Sequence, residues 1–249
     1  MRSWGRLASA LVILALSGAS QSAPPVPDLG VLRVCVADLA YPPHITLDLA
    51  HPGLGERRIV EAGAAVGVHV EVSYLPIRRC HRMVLEGEMD LVYLAATSQS
   101  LAEYRFPRTP QGRPDRALRI SQEAVVVVAR RADPVAWNGK RFASTPALGT
   151  RAGLRMARET AERLGLSVDD SAFDAAQVLR KLHAKRHDAV LLLQADVEQQ
   201  GALMKELDLV ALPKPAATFD GYLAASPKLN PAREPALRAY WKALPRWRP

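Results

Sequence analysis

The chain has 249 residues, 49% of them apolar and 23% charged, and a formal net charge of +8. This is the composition of an ordinary soluble globular protein, with enough apolar residues for one large domain or two small ones. The arginines are scattered and no block of five or six like charges occurs, which argues against a nucleic-acid-binding tail.

The first residues read as a secretory signal peptide spanning 1–22. MRSWGR carries Arg2 and Arg6, LASALVILALSGA is apolar, and SQSAPP supplies small residues for cleavage before Ala23. The apolar run is too short and its end too polar for a membrane span; a retained N-terminal anchor is the alternative. Cleavage removes two arginines and lowers the net charge from +8 to +6. Export places the mature chain in the periplasm, an oxidising compartment. There Cys35 and Cys80 either form one disulfide or stay as two buried thiols. No Cys/His spacing suits zinc, so neither a metal nor a cofactor is expected. No later stretch is long and apolar enough to span a bilayer.

After a Pro-rich leader, Leu32–Ala37 alternates as a strand and stops at Tyr41-Pro42-Pro43. Residues 57–66 predict a helix, 68–75 a period-two strand closed by Pro76, 78–86 a helix ending near Gly87, and 89–94 a short buried strand. This β-α-β-α-β order implies a parallel sheet with right-handed crossovers. Residues 99–120, rich in Arg and Pro, read as an irregular connector. Residues 123–130 open a second unit as a buried strand, and 142–145 read as another. Thr150 is the candidate N-cap of a helix ending at Gly165. Further on, LSVDDSA reads as a strand, AAQVLRKLHAKR as a helix, 188–193 as a strand, DVEQQGALMKEL as a helix, TFDGYLAAS as a strand, and 235–244 as a closing helix.

Several segments, in this order, resemble the bacterial extracytoplasmic solute-binding proteins of family 3, the amino-acid-binding type. LRVCVADLAYPPH resembles the first strand with its Tyr-Pro-Pro end, and LEGEMDLVYLAAT the Gly-x-x-Asp lead into the third strand. WNGK followed by PALGTRAGL, then LHAKRHDAVLL, then TFDGYLAASPKLNP are similar to the second-lobe and return segments. The resemblance implies a two-lobed α/β fold, the type II periplasmic-binding-protein-like fold. Each lobe is then a parallel-rich sheet flanked by helices, joined by two crossovers. The expected lobes are 30–118 plus 221–249, and 119–220, with hinge strands near Arg116–Ser121 and Phe219–Tyr222.

The resemblance also implies an Arg for a ligand carboxylate and an Asp for a ligand ammonium. Near the first place stand Ser100, Leu101 and Ala102, with Arg105 a few residues later. At the second stand Leu193 and Gln194, with Asp196 displaced. Neither role is carried over.

Ligands of open parallel sheets bind beyond the carboxyl ends of the strands. The ligand-binding candidates are therefore Tyr41 and His44 after the first strand, Arg78 and Arg79 after the second, Thr97 and Ser98 after the third, and Gly149, Thr150 and Arg151 in the second unit. Tyr41 either walls the cleft or packs under a loop. Arg78 and Arg79 oppose a helix macrodipole, which points either to an anionic ligand or to a solvated pair. Thr150 suits both an N-cap and an anion site. Asp90 reads as structural, and Asp169–Asp170 as solvated. No nucleophile, phosphate-loop or dinucleotide motif occurs.

Together these features predict a non-enzymatic, monomeric protein that captures a small polar, anionic solute and passes it to a membrane transporter permease. The alternatives are an exported enzyme resembling cyclohexadienyl dehydratases, which requires a general acid in the cleft, and a periplasmic sensing partner of a membrane receptor.

Overall fold

Two parallel strands in perfect register begin the fold: Gly30–Ala37 (β1) pairs with Val68–Leu75 (β2) from Gly30↔Val68 to Ala37↔Leu75. The computed structural model describes residues 30–40 and 42–244. The expected signal peptide, 1–22, and Tyr41 lie outside the described residues. Helix Leu54–Ala64 (α1) joins β1 to β2. Helix Ile77–Glu86 (α2), strand Leu91–Ala95 (β3) and helix Ser98–Glu103 (α3) follow. A 3₁₀ turn at 116–118 leads into Ser121–Arg130 (β4).

The second half holds Leu148–Arg151 (β5), Arg155–Arg163 (α4), Val168–Ala172 (β6), Ala175–His183 (α5) and Ala189–Leu193 (β7). Then come Gln194–Gln199 (α6), Gly201–Glu206 (α7), Leu209–Ala211 (β8), Ala217–Ala225 (β9) and Glu234–Ala243 (α8).

The strands form one sheet in the order β2-β1-β3-β9-β4-β7-β5-β6, with β8 also on β4. At one end β1 is parallel to β2 and β3. At the other, β5 is parallel to β6 and β7. Between them β9 runs antiparallel to both β3 and β4. Its Gly221 faces Ala95 on one side and Ser121 on the other. A Cβ there would stand 2.2 Å from the Ser121 Oγ, so only glycine lets the two crossing strands approach this closely.

The cores follow the sequence pattern. Leu32, Val34 and Val36 face Ile59, Leu237 and Tyr240 on one side of the first half. Cys35 and Val92 face the other side with Cys80, Val84 and Tyr222. In the second half, Val125 and Val127 pack toward α4, while Val126 and Val128 pack toward α5. Central strands buried on both faces are what an α/β sandwich requires. A disulfide between Cys35 and Cys80 ties β1 to α2, with an S–S length of 1.98 Å.

Several boundaries differ from expectation for local reasons. Helix α1 starts earlier, because Glu56 reaches back to accept the Gly53 N–H at 2.7 Å. Thr150 lies inside β5, and α4 begins at Arg155 after the left-handed Gly153. Thr150 is therefore not an N-cap; its hydroxyl donates to the Leu191 carbonyl at 2.7 Å. Residues 142–145 form no strand beyond a single bridge between Trp137 and Phe142, whose rings meet tilted at 45° with centroids 4.6 Å apart. The connector contains α3, the long helix near 200 breaks into α6 and α7, and β8 has no counterpart in the sequence reading.

Asp90 is structural. It is buried, accepts the Arg33 N–H at 2.8 Å and pairs with Arg233. Among the described residues no helix is long and apolar enough to cross a membrane, and no cluster of metal-ligating side chains occurs.

Candidate functional site

The carboxyl ends of β1, β3, β5 and β7 converge where β4 and β9 cross the middle of the sheet. Three polar contacts span this place. The Gln199 side chain on α6 donates to the Ala40 carbonyl beyond β1. The Ser98 N–H, after β3, donates to Glu159 Oε2 on α4 at 2.6 Å. Arg155 of α4 pairs with Glu103 of α3 at 2.7 Å. The two halves thus meet at the strand ends, where a cleft in this kind of sheet receives its ligand.

The sequence candidates take different places around it. Thr97 is buried and caps α3. Its hydroxyl accepts the Ser100 N–H at 3.1 Å, and its own N–H donates to the Ser100 hydroxyl at 2.8 Å. Ser98 faces α4 through the contact with Glu159. Arg151 is held by Asp196, Nε to Oδ2 at 3.0 Å, with both side chains mostly buried. Asp196 also accepts the Leu193 N–H at the start of α6. Ser98 therefore lies where the two halves meet, with Thr97 beside it, while Arg151 is paired within the second half.

The others are more peripheral or committed elsewhere. The Gly149 backbone is covered by the His187 imidazole, whose Cδ2 lies 2.4 Å from the place of a Cβ. The His44 carbonyl accepts the Gly55 N–H at 2.9 Å and so braces the start of α1. Burial, and secondarily the Arg58 charge, push its imidazole pKa down. Arg78 and Arg79 are exposed in the first turn of α2, with no side-chain ion pair among the described residues. Arg105 is engaged by Glu234 at 2.9 and 3.0 Å.

One group escaped the sequence reading. Glu123 lies on β4 and is 5% exposed. Its Oε1 is 3.1 Å from the Tyr93 hydroxyl, which is itself 2.7 Å from the Ser121 Oγ. Its Oε2 is buried and has no hydrogen-bond partner among the described residues. Burial, and then the Asp196 charge, push its pKa up to about 8, so it is mostly protonated at neutral pH. Burial also raises Tyr93 to about 12. The signal was present: residues 121, 123, 125 and 127 share a strand face, and a glutamate on a face otherwise given to Val125 and Val127 is out of place for packing alone.

A second, partly buried polar pair lies beside the α3–α4 contact. His81 Nδ1 is 2.5 Å from the Tyr104 hydroxyl. Burial, and then the Arg155 charge, hold His81 down at about 4, so it is neutral.

No family model and no curated protein sequence matches the chain. Solved structures do. A histidine kinase sensor domain with similarity to periplasmic binding proteins is 16% identical, with 86% of this chain and 88% of that one covered and a TM-score of 0.60. The arginine-, lysine-, histidine-binding protein ArtJ from Geobacillus stearothermophilus is 16% identical, with 86% and 87% covered and a TM-score of 0.59. Holo ArgBP from T. maritima is 17% identical, with 86% and 88% covered and a TM-score of 0.58. At such identities the likeness establishes architecture, and it agrees with the strand order found here: the chain has the two-lobed, periplasmic-binding-protein-like α/β fold.

Proposed function

We propose that the chain is an exported solute-binding protein that closes two lobes around a small polar solute and delivers it to an ABC-type permease. The lobes are 30–118 plus 221–249, and 119–220, with β4 and β9 as the hinge strands. The observation that carries this reading is the Ser98–Glu159 contact at 2.6 Å, which with Glu103–Arg155 and Ala40–Gln199 joins the halves at the strand ends. Contacts of this kind suit a closed state that opens by rotation about two crossing strands.

Arg78 and Arg79, exposed beyond β2, are the candidate cations for an anionic group of the solute. The protein works as a periplasmic monomer after loss of residues 1–22, and it binds rather than transforms its ligand. The likeness to a histidine kinase sensor domain favours a second reading, in which the closed form is presented to a membrane receptor.

A thermal-shift screen of residues 23–249 against small anions, amines, zwitterions and sugars tests the reading. A solute at 100 times its dissociation constant stabilises the fold by ~2.7 kcal/mol, several degrees of melting temperature for a chain of this size. A flat screen overturns capture of a small solute. Prephenate belongs in the panel, because the buried protonated Glu123 is the kind of acid a dehydratase requires; its turnover would replace binding with catalysis.

A further inference from the structure

Strand β2 is an open edge of the sheet. It ends the strand order, and among the described residues β1 is its sole strand neighbour. The Asp38 N–H donates to the Leu75 carbonyl at 3.0 Å, so Leu75 turns its backbone groups toward β1. The register between the two strands is unbroken from Gly30↔Val68 to Ala37↔Leu75. Residues 69, 71 and 73 therefore face β1 as well. The N–H and C=O groups of Val70, Val72 and Tyr74 point away from the sheet, as does the Val68 N–H. None of them has a hydrogen-bond partner among the described residues. The Val68 carbonyl lies close to Gly63 of α1.

Sheet edges are usually guarded by shortness, charge, proline or a bulge. The far end of this sheet follows that rule: β6 has five residues, carries Asp169 and Asp170, and shifts register against β5. Strand β2 does not. Its eight residues, VHVEVSYL, contain no proline, lysine or bulge, and their β-branched and aromatic side chains favour an extended strand. Its two titratable side chains besides Tyr74 are His69 and Glu71, both exposed and without an ion pair among the described residues.

We propose that β2 is a self-pairing edge: two copies of the chain meet antiparallel across a two-fold axis at Val70 and join their sheets.

Charge complementarity selects both the occupant and the register. With the axis at Val70, the two copies of Val70 exchange both N–H···O bonds, and the Val68 N–H of each copy reaches the Val72 carbonyl of the other. His69 of one copy then faces Glu71 of the other, and Glu71 faces His69. These are the non-hydrogen-bonded positions, where opposing side chains come closest. One strand supplies both halves of each pair, which is the self-complementarity of an isologous contact. An axis at Val72 would set Glu71 against Ser73 and His69 against Leu75, and the match would be lost.

The pairing is independent of the solute-binding reading. Each copy keeps both of its halves and the place between them, so one chain still suffices to capture a solute. A single ladder buries less than the ~1,200 Å² of a standard interface, which puts the dissociation constant at roughly 10–500 µM and leaves the dilute protein a monomer.

Sedimentation velocity of residues 23–249 across about 5–500 µM, a range that spans weak interfaces, tests it. The expected result is a reversible monomer–dimer equilibrium that stops at the dimer, because a two-fold contact closes on itself. His69→Glu should raise the dissociation constant about tenfold or more, since the axis doubles each like-charge opposition. The combined His69→Glu/Glu71→Lys chain should recover pairing close to wild type, because opposite charges again face each other. Both positions are exposed, so these variants leave the core intact.

A monomer at every concentration would overturn the proposal, and so would a dimer indifferent to His69→Glu. Growth beyond the dimer, or no recovery in the combined variant, would overturn it too. None of these results bears on solute capture, which the thermal-shift screen of the dilute protein decides separately.

Discussion

The Glu159 carboxylate accepts the backbone N–H of Ser98 at 2.6 Å, so a side chain of the second half rests on the turn that follows β3 in the first. Glu159 is 8% exposed and also pairs with Arg163 on its own helix. A half-solvated carboxylate would gain little from such a bond; a buried one gains more and costs more to orphan.

Replacing Glu159 by Ala should therefore loosen the closed arrangement. The expected loss is ~1–3 kcal/mol of contact between the halves. Small-angle scattering of the unliganded protein should report a larger radius of gyration, further increased by Arg155→Ala. An unchanged radius in the double variant would mean that these contacts do not set the spacing of the halves.

The raised pKa of Glu123 has its own stability signature. The group is protonated in the folded state up to about pH 8, whereas the unfolded chain loses that proton near the ordinary glutamate value. Between those values the unfolded state binds fewer protons, so stability falls as pH rises, with a slope approaching ~1.4 kcal/mol per pH unit for this one group. Glu123→Gln removes that slope. Urea unfolding of wild type and variant at pH 5, 6, 7 and 8 should show the variant gaining on wild type at each step; parallel profiles would contradict the buried, protonated carboxyl.

Gly149→Ala should destabilise the second half, because its Cβ would meet the His187 ring at 2.4 Å. Overpacking of this kind costs ~1–3 kcal/mol. His187→Ala in the same chain should restore most of the loss, measured as a double-mutant cycle of unfolding free energies. An equal loss in both backgrounds would place the strain elsewhere.

Reduction of Cys35–Cys80, or the Cys35→Ala/Cys80→Ala pair, should lower stability by ~2–5 kcal/mol. The bond spans 45 residues and joins β1 to α2 inside a dry cluster with Val92 and Tyr222. Thermal unfolding with and without reductant measures it, and identical melting points would show that the surrounding packing suffices.

Much of this architecture was legible because burial leaves a strong pattern. The alternation in 68–75 marks β2 to the residue, and the apolar runs of β4 and β7 show strands covered on both faces. What was hidden depends on partners distant in sequence. Thr150 looks like a cap until Leu191 supplies a carbonyl for its hydroxyl from the neighbouring strand. Arg105 stands close to an expected ligand arginine, but Glu234, 129 residues away, holds it. Residues 142–145 read as a strand, but their pairing is limited to the short bridge of Phe142 with Trp137. Of the candidate residues, Thr97 and Ser98 stand out in the sequence because they follow the end of β3, and Arg151 because it closes β5. The site was opaque at Glu123, Glu159 and Asp196, whose importance lies in which charges the tertiary fold brings side by side.

The return of the chain terminus to its starting point has a consequence for biosynthesis. The core around β1 draws on residues from Leu32 to Leu244, and the Tyr240 hydroxyl donates to the Ile59 carbonyl across 181 positions at 2.9 Å. The cores of the other half close between Val125 and Phe219. A chain emerging N-terminus first, from a ribosome or across a membrane, therefore completes its middle before its beginning. Until helix α8 arrives, α1 alone covers that face of β1, and part of its apolar surface stays open.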